Sequence, residues 1–179
     1  MESLSRPKLY TQEDLDRLPE DWRVELVEGE LVMAPSPVPW HQVLVRRLLL
    51  ELCAHLGPGE DERVLPAPLD VRVDTHNVYQ PDLMVLPEGT RPTGIDWEMP
   101  APVWVAEVIS PYTGRQDLKK LPFYARQGVT EAWLIYPGEN RIEIHDLIFG
   151  SIERLGGGDR ATSRTLPGFG LDLERFFHA

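Results

Sequence analysis

Two short apolar runs, each broken by a single acid, constrain this chain more than any other feature. Gln80-Pro81-Asp82-Leu83-Met84-Val85 is followed, after a loop over residues 87–102, by Val103-Trp104-Val105-Ala106-Glu107-Val108-Ile109. Both have the length and the β-branched, aromatic composition of buried strands. Asp82 opens the first run and Glu107 interrupts the second. An ionised carboxylate is costly to bury unless it is paired or holds a metal. Two readings of these acids stand side by side: a salt bridge to buried arginine, or a cation site. Pro81 cannot donate a ladder hydrogen bond, so it belongs at a strand start and sets Asp82 at the strand mouth.

The remaining chain reads as alternating strands and helices. Residues 11–18 predict a short helix capped by Thr11, with acids in its first turn. Residues 23–33 alternate as a β-hairpin turning at Glu28-Gly29. That alternation sets Val24 and Leu26 on one face, Glu25 and Val27 on the other. Glu25 is then either a solvated strand residue or an acid pointing into a cleft, and burial preference favours the solvated reading. Residues 34–39 hold three prolines and form a loop. A helix over 40–56 carries the stripe Val45, Leu48, Leu49, Leu52 and Leu56, and Gly57-Pro58-Gly59 ends it. His41 reads as a surface or capping histidine, and Cys53 as an inert thiol beside the stripe.

Residues 63–65 and 69–73 are strand candidates, the second with Leu69, Val71 and Val73 inward. Asp96 and Glu98, in the long loop, read as solvated. A helix over 115–127 contains Pro122, which predicts a kink or a late start. Residues 131–136 read as a buried strand and 141–145 as a half-exposed one. An edge strand is expected near 149–155, and a last helix over 171–177 docking by Leu173, Phe176 and Phe177.

Length predicts one domain over residues 1–179, of mixed α/β class. The net charge of −11 disfavours sequence-independent coating of nucleic acid, which needs clustered Lys and Arg. It does not exclude an enzyme whose acids concentrate at a metal site. Only three lysines occur, Lys8, Lys119 and Lys120, and two of them follow the strand acids. No apolar run approaches the ~20 residues of a membrane span. Residues 1–6 have no apolar signal core, and Cys53, the single cysteine, has no disulfide partner in the chain. A cytoplasmic protein is expected.

Phosphodiester hydrolysis uses a divalent cation to bind the phosphate and acidify the attacking water. Mg²⁺ takes oxygen ligands, usually one or two carboxylates plus waters. The order strand acid, strand acid, helix lysine provides those groups. Pro81-Asp82 with Glu107-Val108-Ile109 resembles the PD-(D/E)XK nuclease signature. More fully, Val24-Glu25-Leu26-Val27-Glu28-Gly29-Glu30-Leu31, Gln80-Pro81-Asp82-Leu83, Ala106-Glu107-Val108-Ile109-Ser110-Pro111, Lys120-Leu121-Pro122-Phe123-Tyr124-Ala125 and Gly128-Val129-Thr130-Glu131-Ala132-Trp133 are similar, in the same order, to a large bacterial family of restriction-endonuclease type, the Uma family. The matches span about residues 20 to 145. One departure stands out: Ile109 occupies the position where the superfamily signature has lysine. The resemblance moves that lysine to the following helix, at Lys120, with Lys119 the adjacent alternative.

What the resemblance implies is a restriction-endonuclease-like fold: a central mixed sheet flanked by helices, with an N-terminal β-hairpin. It implies hydrolysis of nucleic acid, with DNA the expected substrate, assisted by Mg²⁺ or Mn²⁺ between Asp82 and Glu107. The Val108 carbonyl becomes a further metal ligand. Glu25 becomes an active-site acid, Lys120 the catalytic lysine, and Gln80 and Lys119 candidate substrate-side groups. A homodimer would suit cleavage of both duplex strands. A second class stays open: the same fold as a binding or assembly module with little or no catalysis.

Overall fold

A computed structural model of the chain describes residues 8–19, 22–33, 36–92, 99–110 and 114–178, with only the backbone described at 114–116. Asp96 and Glu98 lie outside the described residues. The chain begins with α1 (Gln12–Leu15), β1 (Val24–Val27), β2 (Glu30–Met33) and α2 (Pro39–Leu56). There follow β3 (Val64–Pro66), β4 (Val71–Asp74), β5 (Asn77–Tyr79), β6 (Leu83–Val85), β7 (Trp104–Val108) and α3 (Gly114–Arg126). The last part holds β8 (Glu131–Tyr136), β9 (Arg141–Asp146), β10 (Ile152–Gly156), β11 (Arg160–Thr162), β12 (Gly170–Asp172) and α4 (Leu173–His178).

Six strands form a mixed sheet in the order β10-β9-β8-β7-β6-β3. Its parallel pair is β7 and β8, joined through α3; the other neighbours run antiparallel. Parallel neighbours need such a crossover. A second sheet, β2-β1-β5-β4, stands on the same side as α3.

Period-two alternation sorts the central strands into two cores. Leu83, Val85, Trp104, Ala106, Val108, Trp133 and Ile135 face one way, onto Leu44, Val45, Leu48 and Leu52 of α2 and Phe176 and Phe177 of α4. Met84, Val105 and Ala132 face the other way, onto Phe123 and Tyr124 of α3 and onto Val27, Val71 and Tyr79 of the small sheet. Each large apolar side chain so buried contributes roughly 1.5–3 kcal/mol. Glu107 has the parity of Val105. It therefore stands where the second core would have continued, under α3.

Sheets covered on both faces explain where alternation misleads. All four residues of β1 are buried, Glu25 included, so the solvated reading of Glu25 is wrong. β9 is likewise buried on both sides at its four central residues and is not half-exposed. The β1–β2 turn forms as its residues dictate, with Glu28 at φ 52° and Gly29 at φ 80°. Two-residue hairpins of this twist need both positions left-handed. α3 neither starts late nor breaks: it runs through Pro122 from Gly114. Leu171 belongs to β12, paired with Ala161, so the last helix begins only at Leu173.

Candidate active site

Four elements converge on a cavity of about 610 Å³ lined by Glu25, His41, Asp82, Glu107, Asp117 and Lys120, among others. The strand register brings the first two acids together. β6 and β7 pair antiparallel with Leu83 opposite Ala106, which sets Asp82, just before β6, beside the end of β7, where its Oδ2 accepts the Val108 amide N–H.

Helix α3 adds a matching face. Asp117, Lys120 and Tyr124 recur at helical spacing, and all three are buried. The Lys120 ammonium lies 2.9 Å from Glu25 Oε1, 3.3 Å from Glu107 Oε1 and 3.3 Å from Asp117 Oδ1. Three N–H donors thus meet three carboxylates. Tyr124 donates its hydroxyl to Glu107 Oε1 at 2.7 Å. Glu25 Oε1 also accepts the Gln80 amide N–H at 2.7 Å, while the Gln80 side chain donates to Asp70 at 2.8 Å. Lys119, one residue round the helix, is exposed and does not line the cavity, so of the two lysines only Lys120 enters the site.

Asp82 is held by a single oxygen. Its Oδ2 accepts the Val108 amide N–H at 2.8 Å and lies 3.1 Å from His41 Nε2. Among the described residues Oδ1 has no protein partner, nor has Glu107 Oε2. From the sequence His41 reads as a surface or capping residue with a site role only the lesser option, and Asp117 is not singled out. Both had a signal: His41 lies three, four, seven and eleven residues before Leu44, Val45, Leu48 and Leu52 and so heads their buried stripe, and Asp117 lies one turn before Lys120.

The electrostatics are those of too few cations. Burial pushes the Glu107 carboxyl well above its ordinary range; Lys120 opposes this, but the charges of Asp117, Asp82 and Glu25 add to it. Burial raises Asp117 as well, again against Lys120. For Lys120 burial works downward, yet Glu107, Glu25 and Asp117 outweigh it and hold the ammonium firmly charged. An ion pair would ordinarily depress its acid. Here burial outweighs one ammonium divided among three carboxylates, so the acid stays raised.

These residues fit a divalent cation on their chemistry. The donor set is all oxygen, two carboxylate oxygens are unclaimed, and the local charge is negative. Among the described residues no three His, Cys, Asp or Glu side chains are already spaced as a metal cage. A site of two carboxylates completed by water needs fewer.

A mixed sheet flanked by helices, with carboxylates and a lysine gathered at one end of adjacent strands, defines a nuclease-like domain. The fold matches the crystal structure of "a putative nuclease belonging to DUF820" from Anabaena variabilis, with a TM-score of 0.80 and 19% identity over 93% of this chain and 97% of that one. The model of the Uma2 family, described as "Putative restriction endonuclease", matches residues 12–174, and the chain belongs to that family. No curated protein matches the sequence. No helix among the described residues is long and apolar enough to cross a membrane.

Proposed function

We propose that the protein is a metal-dependent endonuclease that hydrolyses phosphodiester bonds of nucleic acid, with DNA as substrate. The observation that carries this reading is the gathering of Glu25, Glu107 and Asp117 around one ammonium, with Asp82 lining the same cavity and, among the described residues, one oxygen each of Asp82 and Glu107 unclaimed. Asp82 and Glu107 would hold Mg²⁺ or Mn²⁺, with the Val108 carbonyl a further candidate ligand. A cation bound there supplies neutralisation of the phosphate and a lowered pKa for the attacking water.

The chain's own groups have distinct tasks in this proposal. The Val108 amide orients Asp82, and Tyr124 orients Glu107. Lys120 keeps Glu25, Glu107 and Asp117 from repelling one another. With its three donors so committed, Lys120 acts on the water or the phosphate only by releasing one carboxylate. Glu25 tunes the cluster and is fixed by the Gln80 amide. A two-fold dimer would suit cleavage of both duplex strands, and β10 offers it a sheet edge with Ile152 exposed.

A plasmid nicking assay tests the reading. Mn²⁺- or Mg²⁺-dependent nicking is expected, abolished by a chelator, by Asp82→Ala and by Lys120→Ala. Nicking that persists in both variants removes the mechanism. A protein that binds nucleic acid but never nicks it would be a binding module on the same fold.

A further inference from the structure

His41 touches the proposed metal-binding acid, and the mechanism above makes no use of it. It sits in the first turn of α2, which is pinned below it by Leu44, Val45, Leu48 and Leu52 in the main core. The Arg47 side chain also anchors α2, donating to the Phe176 carbonyl at 2.6 Å. The ring is thus carried by a rigid element and is itself only 13% exposed. Its Nδ1 is buried and, among the described residues, has no hydrogen-bond partner. The contact the ring makes is through Nε2, to Asp82 Oδ2 at 3.1 Å. That same oxygen accepts the Val108 N–H. Two donors, from α2 and from the end of β7, therefore converge on one oxygen of a carboxylate that lies outside any strand.

We propose that His41 is a positioning residue: with the Val108 amide it fixes Oδ2 of Asp82 and so leaves Oδ1 as the oxygen available to a divalent cation. This rests on the reading of Asp82 as a metal-binding acid. A carboxylate held through one oxygen cannot spin freely about its last bond, so binding loses less freedom than with an unrestrained side chain. Hydrogen bonds behind a ligating carboxylate typically govern metal affinity by about 10–100-fold. The sequence alone gives His41 a surface role because the helix start hides its partner, forty-one positions downstream.

Titration calorimetry of the full chain with Mn²⁺, without nucleic acid, tests the proposal. His41→Ala and His41→Leu are expected to weaken Mn²⁺ binding by about tenfold or more. His41→Gln, which keeps an N–H donor within reach, is expected to bind within about threefold of the parent. Metal-free melting curves of all three establish that the fold is retained, and either apolar variant suffices should the other not fold. Parent-like affinity in a folded apolar variant overturns the proposal, as does a His41→Gln variant as weak as His41→Ala. A parent that binds no Mn²⁺, or whose binding ignores Asp82→Ala, brings down the metal-site reading and this inference with it. Tight parent binding that depends on Asp82 but not on His41 brings down this inference alone.

Discussion

Glu107 and Glu143 lie in one row across the central sheet. Glu107 is opposite Leu134 in β8, and Leu134 is opposite Glu143 in β9. Both are buried, yet their surroundings have opposite character. Glu143 Oε1 receives Arg141 at 2.6 Å and Arg154 at 2.8 Å, while Oε2 receives Tyr136 at 3.1 Å and lies 3.2 Å from His145. Burial acts to raise its carboxyl, but the hydrogen bonds from Arg154, His145, Arg141 and Tyr136 outweigh that and hold it low. Burial holds Glu107 high, and the one lysine it shares with two other acids does not offset it. A buried acid with donors in excess is part of the scaffold. One with cations in deficit is poised to gain from an incoming cation, and that is the mark of a site.

The sharpest way to break this comparison is to remove the shared ammonium. Lys120→Met leaves three buried carboxylates facing one another. Losing one partner of a buried charge cluster is expected to destabilise by about 3–5 kcal/mol, read by denaturant unfolding, and nicking should vanish with it. Adding Glu107→Gln to Lys120→Met should recover part of that loss, because one repelling charge is gone. If Lys120→Met unfolds at the parent's midpoint, the deficit is not real.

Glu143→Ala is expected to cost about 2 kcal/mol. That is less than a fully buried pair because Arg154 is 63% exposed and water screens it. Mn²⁺ affinity and nicking should be unchanged, which separates scaffold from site. Glu107→Gln should do the reverse. It should raise metal-free stability near neutral pH by about 1 kcal/mol, as relief of a strained active site commonly does, while abolishing nicking.

The smallest effect is in the pH dependence of melting. Glu107 and Asp117 are raised in the fold, so the stability they contribute is complete below their ordinary values and is lost as pH climbs through their raised ones. The metal-free protein should therefore gain stability on mild acidification from neutral, and Glu107→Gln should flatten that gain. Glu143 is depressed, so its contribution is present above its ordinary value of 4.5 and disappears as pH falls through the lowered one. Glu143→Gln should flatten only this acid limb.

Much of the scaffold was readable along the chain. The hairpin at Glu28-Gly29, the α2 stripe, the strand with Glu107 and the edge strand near Ile152 all follow from local pattern, because period and turn chemistry are short-range. Burial on a second face was not readable. Glu25 and β9 look half-solvated in sequence because alternation shows which residues share a face, but not whether another layer covers it. Glu131 lies in a strand that reads as buried, but its partners were not readable: two indole N–H groups and two backbone amides satisfy it, from Trp104, Trp133, Arg164 and Thr165.

The order and identity of the motif residues, and hence the family, were settled by the sequence itself, since a fixed series of acids, lysine and turn residues survives without coordinates. Only the tertiary structure enrolled Asp117 beside Lys120 and turned His41 toward Asp82. Each of those outcomes depends on which way a helix face is rotated against the sheet. That rotation is set by the packing of distant apolar residues, not by the neighbours of the residue concerned.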